Sequence, residues 1–140
     1  MRSWTIWNPT GRGFRYAMGM TLFVFYVASL VLGRELPSHN ESYYVEKIAE
    51  KNDWEQEVVL WDGTRVDLVS DTRAWEVDWP VKWAEAIGQA LYYAEVTVKE
   101  PGIILLVRDM DRERRYVYRC AVVCAKYDIR LLVIKTGVLE

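Results

Sequence analysis

The segment 62–94 constrains the fold most, because turn residues divide it into short strands that lead directly into a helical pattern. An Asp-Gly pair at 62–63 lies between two runs of alternating polarity, 54–60 and 64–69, and this combination predicts a β-hairpin. A second polar turn precedes a third strand at 74–79, which is followed by a proline. Three consecutive strands joined by short turns are therefore expected here.

Three carboxylates fall on two of these strands. Glu76 and Asp78 are two residues apart, so their side chains point to the same face of the third strand. Asp67 joins them if the second and third strands pair. Crowded carboxylates repel one another, and burying them is costly without a compensating cation. The pattern therefore predicts a divalent metal site.

An amphipathic helix is expected at 81–94. Lys82, Gln89 and Tyr93 fall on one stripe at helical spacing. This polar stripe begins at the end of the strand that carries Glu76, so it is placed to continue the acidic site. The opposite stripe is expected to face the core and consists of Trp83, Ile87, Ala90 and Ala94.

The rest of the globular part adds two helices and two strands. The first helix is expected at 42–52, with Ser42 as its N-cap. A strand at 103–107, a helix at 109–126 and a last strand at 129–134 complete the order. The chain has 140 residues, which suffices for one domain of the α/β class.

The helix at 109–126 is the most basic segment of the chain. Its arginines form either a solvated charged face or a nucleic-acid contact surface; they are Arg112, Arg114, Arg115 and Arg119. Cys120 and Cys124 lie one turn apart on the same helix, and a disulfide at this spacing would be strained. We expect both cysteines to be reduced residues of the core.

The amino-terminal segment differs from the rest. Basic residues precede an uncharged run of 18 residues at 16–33. Such a run suits either a cleaved signal peptide or an uncleaved hydrophobic helix that anchors the protein in a membrane. In both cases the positive residues before the run favour a cytoplasmic amino terminus and a domain on the periplasmic or extracellular side.

The chain therefore divides into a signal peptide or anchor at 1–33, a polar linker at 34–41 and a domain at 42–140. Three of the 18 basic residues and none of the 20 acidic ones lie in 1–33, so the remainder has a net charge of −5, with 15 basic against 20 acidic residues. This charge argues against strong non-specific binding to nucleic acid. A local basic cluster and a metal can still support an enzyme that acts on it.

The element order and the acidic residues resemble the PD-(D/E)XK nuclease superfamily, whose restriction-endonuclease-like core is a mixed central sheet flanked by helices. The order here is α-β-β-β-α-β-α-β. Asp67 matches the metal-binding aspartate of the second strand, and Glu76 matches the acidic residue of the third. The segment 89–93 fits the Q-x-x-x-Y motif of the RecB-like branch, and Glu46 corresponds to a glutamate that some members supply from the first helix. The resemblance covers most of 42–135.

One position departs from the family pattern. Where the family has a lysine that activates the attacking water, this chain has Asp78. Either Lys82 reaches the same space from the first turn of the following helix, or the function has been lost. The stripe that Lys82 shares with Gln89 and Tyr93 favours a migrated lysine.

The resemblance implies a nuclease that hydrolyses DNA phosphodiester bonds with Mg²⁺ or Mn²⁺. Asp67 and Glu76 would hold the ion, with the Val77 carbonyl as a third ligand. Asp78 would bind a second ion or hold Lys82, which would stabilise charge on the phosphate. The other residues with an implied catalytic role are Gln89, Tyr93 and Glu46. The alternative is a catalytically inactive binding protein of the same fold, membrane-tethered or secreted.

Overall fold

The protein is described by a computed structural model, which covers residues 39–140. The hydrophobic run at 16–33, with its predicted signal peptide or anchor, lies outside these residues. Within residues 39–140, no helix is both long and apolar enough to cross a membrane.

The described chain folds as an α/β domain in the predicted order of elements. The helices are α1 (Glu41–Asn52), α2 (Trp83–Thr97) and α3 (Met110–Lys126). The strands are β1 (Glu55–Val59), β2 (Arg65–Val69), β3 (Arg73–Asp78), β4 (Glu100–Val107) and β5 (Arg130–Lys135). Two short 3-10 helices, Pro80–Lys82 and Thr136–Val138, precede α2 and follow β5.

The five strands form one mixed sheet in the order β1-β2-β3-β4-β5. β2 runs antiparallel to its neighbours β1 and β3, whereas β3, β4 and β5 are parallel. The antiparallel part follows from its short turns, and the parallel part requires the crossover helices α2 and α3. A mixed sheet flanked by helices is therefore confirmed.

Alternation along the strands divides the core between the two faces of the sheet. Ile104 and Leu106 of β4 pack with α1, whereas Ile103 and Leu105 pack with α2 and α3. Residues that alternate along one strand point to opposite faces, so β4 is covered on both sides and all four of these side chains are fully buried.

Two details of the predicted helices are corrected. Asn40, not Ser42, is the N-cap of α1, and its side chain accepts a hydrogen bond of 3.2 Å from the Tyr43 amide. On α2, Ala90 and Ala94 are buried as predicted and Trp83 and Ile87 pack against the core, but Tyr93, predicted for the polar stripe, is buried as well. The remaining buried position of α2 is Ala86.

The predicted hairpin is confirmed at its turn. The Leu60 amide donates to the Thr64 carbonyl at 2.8 Å, and Gly63 adopts a positive φ of 85° that suits glycine. The Asp62 carboxylate accepts hydrogen bonds from the Thr64 amide and hydroxyl. This turn fixes how β1 and β2 are paired.

Glycine is required at 102 because the backbone approaches an indole there. Gly102 pairs with Trp75 across β3 and β4, and a methyl group at its Cα would overlap the Trp75 ring. Trp75 is itself held by stacking on Trp54, with ring centroids 5.3 Å apart.

Both cysteines are free and buried in the core, as predicted. Their sulfur atoms are 3.6 Å apart, which is a van der Waals or weak hydrogen-bond contact between thiols.

Candidate functional site

The acidic residues of β3 are buried at the carboxyl end of the strand. Asp78, its last residue, is 2% exposed, and Glu76 is 5% exposed. Trp75 and Val77 alternate with them and pack against α1, so the two carboxylates point to the other face of the sheet. Carboxylates are seldom fully buried without a partner, so their burial requires an explanation.

Asp67 lies beside them because the pairing of β2 and β3 is short. The register between these strands covers only Leu68–Trp75 and Val69–Ala74. Beyond it, the Asp67 Oδ2 atom accepts a hydrogen bond of 2.8 Å from the Val77 amide, in place of a backbone carbonyl. In an extended strand the amide and the carbonyl of one residue point to the same neighbouring strand, so the Val77 carbonyl also points towards β2.

Burial and mutual repulsion keep protons on this cluster. Burial, followed by the charges of Asp67 and Asp78, raises the pKa of Glu76 to about 9. Burial also raises the pKa of Asp67 to about 6, although the hydrogen bond from the Val77 amide opposes this shift. Without a cation, the protein therefore holds a proton on Glu76 at neutral pH.

One oxygen of Glu76 is buried without a partner. Among residues 39–140, the Glu76 Oε2 atom has no hydrogen-bond partner, although a proton on Glu76 can be shared with the Asp67 carboxylate beside it. A buried carboxyl oxygen without a donor loses its hydration with no compensation. This oxygen is the strongest local indication that the site binds something positive.

Glu41 belongs to the cluster and was missed by sequence reasoning, which placed it in the linker. It is the first residue of α1, and burial followed by the charge of Asp78 raises its pKa to about 7. Recognising Asn40 as the N-cap would have identified it, because the residue after an N-cap opens the helix. Glu46, the glutamate predicted for this role, is exposed on α1 and is not among the groups that shift the cluster's pKa values.

Lys82 contacts the cluster at Asp78. The 3-10 turn that begins at Pro80 brings the Lys82 Nζ atom to 3.3 Å from the Asp78 Oδ1 atom. The same oxygen accepts a hydrogen bond of 2.7 Å from the Trp79 amide. The charge of Asp78 raises the pKa of Lys82, so this side chain remains a cation. Among the described residues, Lys82 forms its salt bridge with Asp78 and not with the Asp67–Glu76 pair.

Tyr93 and Gln89 extend the site onto α2. Burial, followed by the charges of Glu76 and Asp67, raises the pKa of Tyr93 to about 12, which places its hydroxyl within electrostatic range of both. The hydroxyl donates to the Gln89 Oε1 atom at 3.3 Å, and the Gln89 amide donates to Glu85 at 3.2 Å. Tyr93 therefore lies close enough to the cluster to feel its charges, and Gln89 is joined to Tyr93 by a hydrogen bond.

The chemistry of the donors fits Mg²⁺ or Mn²⁺, although the side chains do not form a closed cage. Within residues 39–140, no three His, Cys, Asp or Glu side chains are placed to hold one ion together. Magnesium retains several waters and is commonly held by one or two carboxylates, so such a cage is not required. Asp67 and Glu76 carry hard oxygen atoms of the kind that Mg²⁺ takes as ligands, and one of these atoms is the Glu76 oxygen without a partner among the described residues.

Comparison with protein family models, with curated proteins and with solved structures gives no match for this chain.

Proposed function

We propose that the protein is a metal-dependent nuclease that hydrolyses DNA phosphodiester bonds with Mg²⁺ or Mn²⁺. The observation that carries this proposal is Glu76, whose buried oxygen has no hydrogen-bond partner among the described residues. Glu76 lies beside Asp67, and Lys82 forms a salt bridge with the neighbouring Asp78. A cation at this point would compensate the charges that burial now suppresses.

Asp67 and Glu76 would hold the ion, with the Val77 carbonyl as a further oxygen ligand. A bound Mg²⁺ supplies positive charge to the scissile phosphate and makes a neighbouring water more acidic. Asp67 is oriented for this task by the hydrogen bond from the Val77 amide. Glu41, at the start of α1, interacts with the charge of Asp78 and would support the same site.

Lys82 would replace the catalytic lysine of the PD-(D/E)XK superfamily, whose usual position is occupied here by Asp78. Its side chain is about half exposed, so its ammonium group can reach a phosphate from its place on Asp78. A fixed cation near the phosphate stabilises the charge that develops during hydrolysis. Tyr93 and Gln89 would orient the substrate or the attacking water by hydrogen bonds.

The order of elements supports an assignment to the restriction-endonuclease-like fold of the PD-(D/E)XK superfamily. Asp67 lies on β2, Glu76 on β3 and the Gln89–Tyr93 pair on α2, and these are the elements on which the family carries its motifs.

A catalytically inactive binding protein of the same fold is the second candidate. It is favoured by the pairing of Lys82 with Asp78, which accounts for the lysine without catalysis. In this case Glu76 would keep its proton and Lys82 would serve only to neutralise Asp78.

The two functions are separated by a cleavage assay on the full-length protein with labelled linear and branched DNA. We expect cleavage that requires Mg²⁺ or Mn²⁺ and is lost in Glu76→Gln. Glu46→Gln is the matched control, because Glu46 is an exposed glutamate outside the cluster, and it should cleave like the wild type. Absence of cleavage by the wild type, or undiminished cleavage by Glu76→Gln, would show that the protein is not a nuclease of this kind.

A further inference from the structure

Trp61 is the most exposed aromatic residue among residues 39–140. Its exposed fraction is 86%, whereas the other tryptophans of this part of the chain are buried or partly buried. It lies in the hairpin turn that joins β1 to β2. An indole buries a large apolar area when a ligand covers it, so an exposed indole in a fixed place is suited to binding.

The hairpin turn holds Trp61 at the edge of the sheet that carries the acidic cluster. The Leu60 amide donates to the Thr64 carbonyl at 2.8 Å, and the Gly63 amide donates to the Leu60 carbonyl at 3.0 Å, so the backbone between them is fixed. β2 runs antiparallel to β3, and the start of β2 therefore lies at the carboxyl end of β3, which is Asp78. The turn and the acidic cluster thus lie at one edge of the sheet.

The turn is also attached to α2, the helix that carries Tyr93. The Tyr92 hydroxyl donates to the Asp62 carboxylate in the turn. The Tyr92 ring lies beside the Tyr93 ring, with centroids 5.9 Å apart. Tyr93 packs with Ala74, which shares one face of β3 with Glu76 because the two residues are two apart. The aromatic residues of α2 therefore connect the turn to the face on which Glu76 lies.

The electrostatics of Tyr93 agree with this placement. Burial raises the pKa of its hydroxyl, and the charges of Glu76 and Asp67 contribute to the shift. The charge of Asp62 contributes as well. One hydroxyl group is therefore in electrostatic range of both the acidic cluster and the turn.

The charged side chains in and next to the turn already have partners. Asp62 accepts hydrogen bonds from the Thr64 amide, the Thr64 hydroxyl and the Tyr92 hydroxyl. Arg65, the first residue of β2, forms a salt bridge with Glu57. Both charges are therefore engaged within the described chain, and the group left exposed is the flat apolar indole. Every nucleobase has a flat face that can stack on such a ring.

We propose that Trp61 stacks on an unpaired nucleobase of the DNA strand that enters the acidic cluster. The substrate is then single-stranded, or opened near the scissile phosphate. This inference rests on the proposed function and specifies the form of its substrate. Bases inside a duplex cover one another's faces, so stacking on an indole requires an unpaired base. Tyr92 is 40% exposed and joins the turn to Tyr93, so a second aromatic ring lies between the turn and the cluster.

The test measures DNA binding by the full-length protein without cleavage. Fluorescein-labelled single-stranded and duplex oligonucleotides of one sequence are titrated in Ca²⁺, which takes the same oxygen ligands as Mg²⁺, over a series of salt concentrations. For Trp61→Ala we expect the Kd for the single strand to rise about tenfold and the Kd for the duplex to stay close to the wild-type value. The slope of log K against log salt should not change, because no charge is removed.

Tyr127→Ala is the matched control. Tyr127 is 56% exposed and lies between α3 and β5. Because β3, β4 and β5 are parallel, the start of β5 lies at the edge of the sheet opposite Asp78. This variant should bind both forms of DNA like the wild type.

Two conservative variants separate stacking from apolar contact in general. Trp61→Phe keeps an aromatic ring and should retain most of the binding, whereas Trp61→Leu keeps only apolar area and should bind like Trp61→Ala. Thermal unfolding of each variant monitors the fold, which should not depend on a side chain that is 86% exposed. If Trp61→Ala unfolds, the comparison of Trp61→Phe with Trp61→Leu decides the matter.

The outcomes distinguish this inference from the proposed function. A Trp61→Ala variant with the single-strand Kd of Tyr127→Ala overturns the stacking site whether or not the protein cleaves DNA, and an indole that contacts a membrane surface would give this result. An equal loss of affinity for both forms of DNA, or a Trp61→Leu variant that binds like the wild type, also overturns it. A wild type that binds no DNA overturns both proposals. A wild type that binds the single strand without cleaving it, and loses this binding in Trp61→Ala, supports the stacking site and removes the nuclease.

Discussion

Replacing Glu76 with glutamine is expected to stabilise the metal-free protein, and to do so more at pH 7 than at pH 5. Burial beside Asp67 and Asp78 raises the pKa of Glu76 from 4.5 to about 9. The folded protein thus keeps a proton that the unfolded chain releases above pH 4.5. The contribution of this carboxyl to stability is present below pH 4.5 and is lost as the pH rises towards 9.

The size of the effect follows from the two pKa values. At about 1.4 kcal/mol per pH unit, the linkage lowers the free energy of unfolding by about 3 kcal/mol at pH 7 and by about 1 kcal/mol at pH 5. Glutamine has no proton to release, so the Glu76→Gln variant does not carry this loss. The difference in stability between variant and wild type should therefore grow by about 2 kcal/mol between pH 5 and pH 7.

Urea denaturation at pH 5, 6 and 7 in the presence of a chelator measures this difference. Glu46→Gln removes a glutamate that is exposed on α1, and its stability should parallel that of the wild type across the range. Parallel pH dependences for Glu76→Gln and the wild type would mean that Glu76 is ionised in the folded protein. The reasoning that links its burial to metal binding would then be refuted.

Three further outcomes are expected. Gly102→Ala should lower the free energy of unfolding by about 2 kcal/mol, because the added methyl group overlaps the Trp75 ring. Gly88→Ala places its methyl group in open space on α2 and should raise the free energy of unfolding by roughly 1 kcal/mol. Equal urea midpoints for the two variants would contradict these expectations. Lys82→Gln should lower kcat for DNA cleavage by about 10²-fold through the loss of a fixed cation, and an unchanged kcat at saturating DNA would exclude a catalytic role. Cell fractionation should place the protein in membranes or outside the cytoplasm, as the uncharged run at 16–33 predicts, and full-length protein in the soluble cytoplasmic fraction would contradict that prediction.

The element types and their order could be predicted from the sequence because the signals are local. The Asp-Gly turn, the alternation in β2 and β3, and the helical spacing on α2 each depend on residues within one or two turns. Asp67, Glu76 and Asp78 were predicted to meet because strand alternation and hairpin pairing place them on one side. The short pairing of β2 and β3 could not be foreseen, because the register ends where the Asp67 side chain replaces a backbone acceptor.

Glu41 was wrongly predicted to lie in the linker, because the start of a helix depends on which single residue is its N-cap. Ser42 and Asn40 are both good N-caps, and the choice between them decides whether Glu41 lies inside α1 or in the linker. Glu46 lies on the first helix like the family's glutamate, but on the exposed side of α1.

The pairing of Lys82 with Asp78 was one of the two roles expected for Asp78, and the structure shows it. The chain enters α2 through a 3-10 turn at Pro80–Lys82, which rotates the lysine towards the end of β3. Its ammonium group meets Asp78, four residues before it.

The central claim is that Asp67 and Glu76 bind a divalent metal, and calorimetric titration of the full-length protein with Mn²⁺ at pH 7 tests it most directly. We expect one site, lost in Glu76→Gln and retained in Glu46→Gln. We also expect a heat that varies with the ionisation enthalpy of the buffer, because binding must displace the proton that a pKa of about 9 keeps on Glu76. No binding, equal binding by Glu76→Gln, or a heat that is the same in every buffer would contradict it.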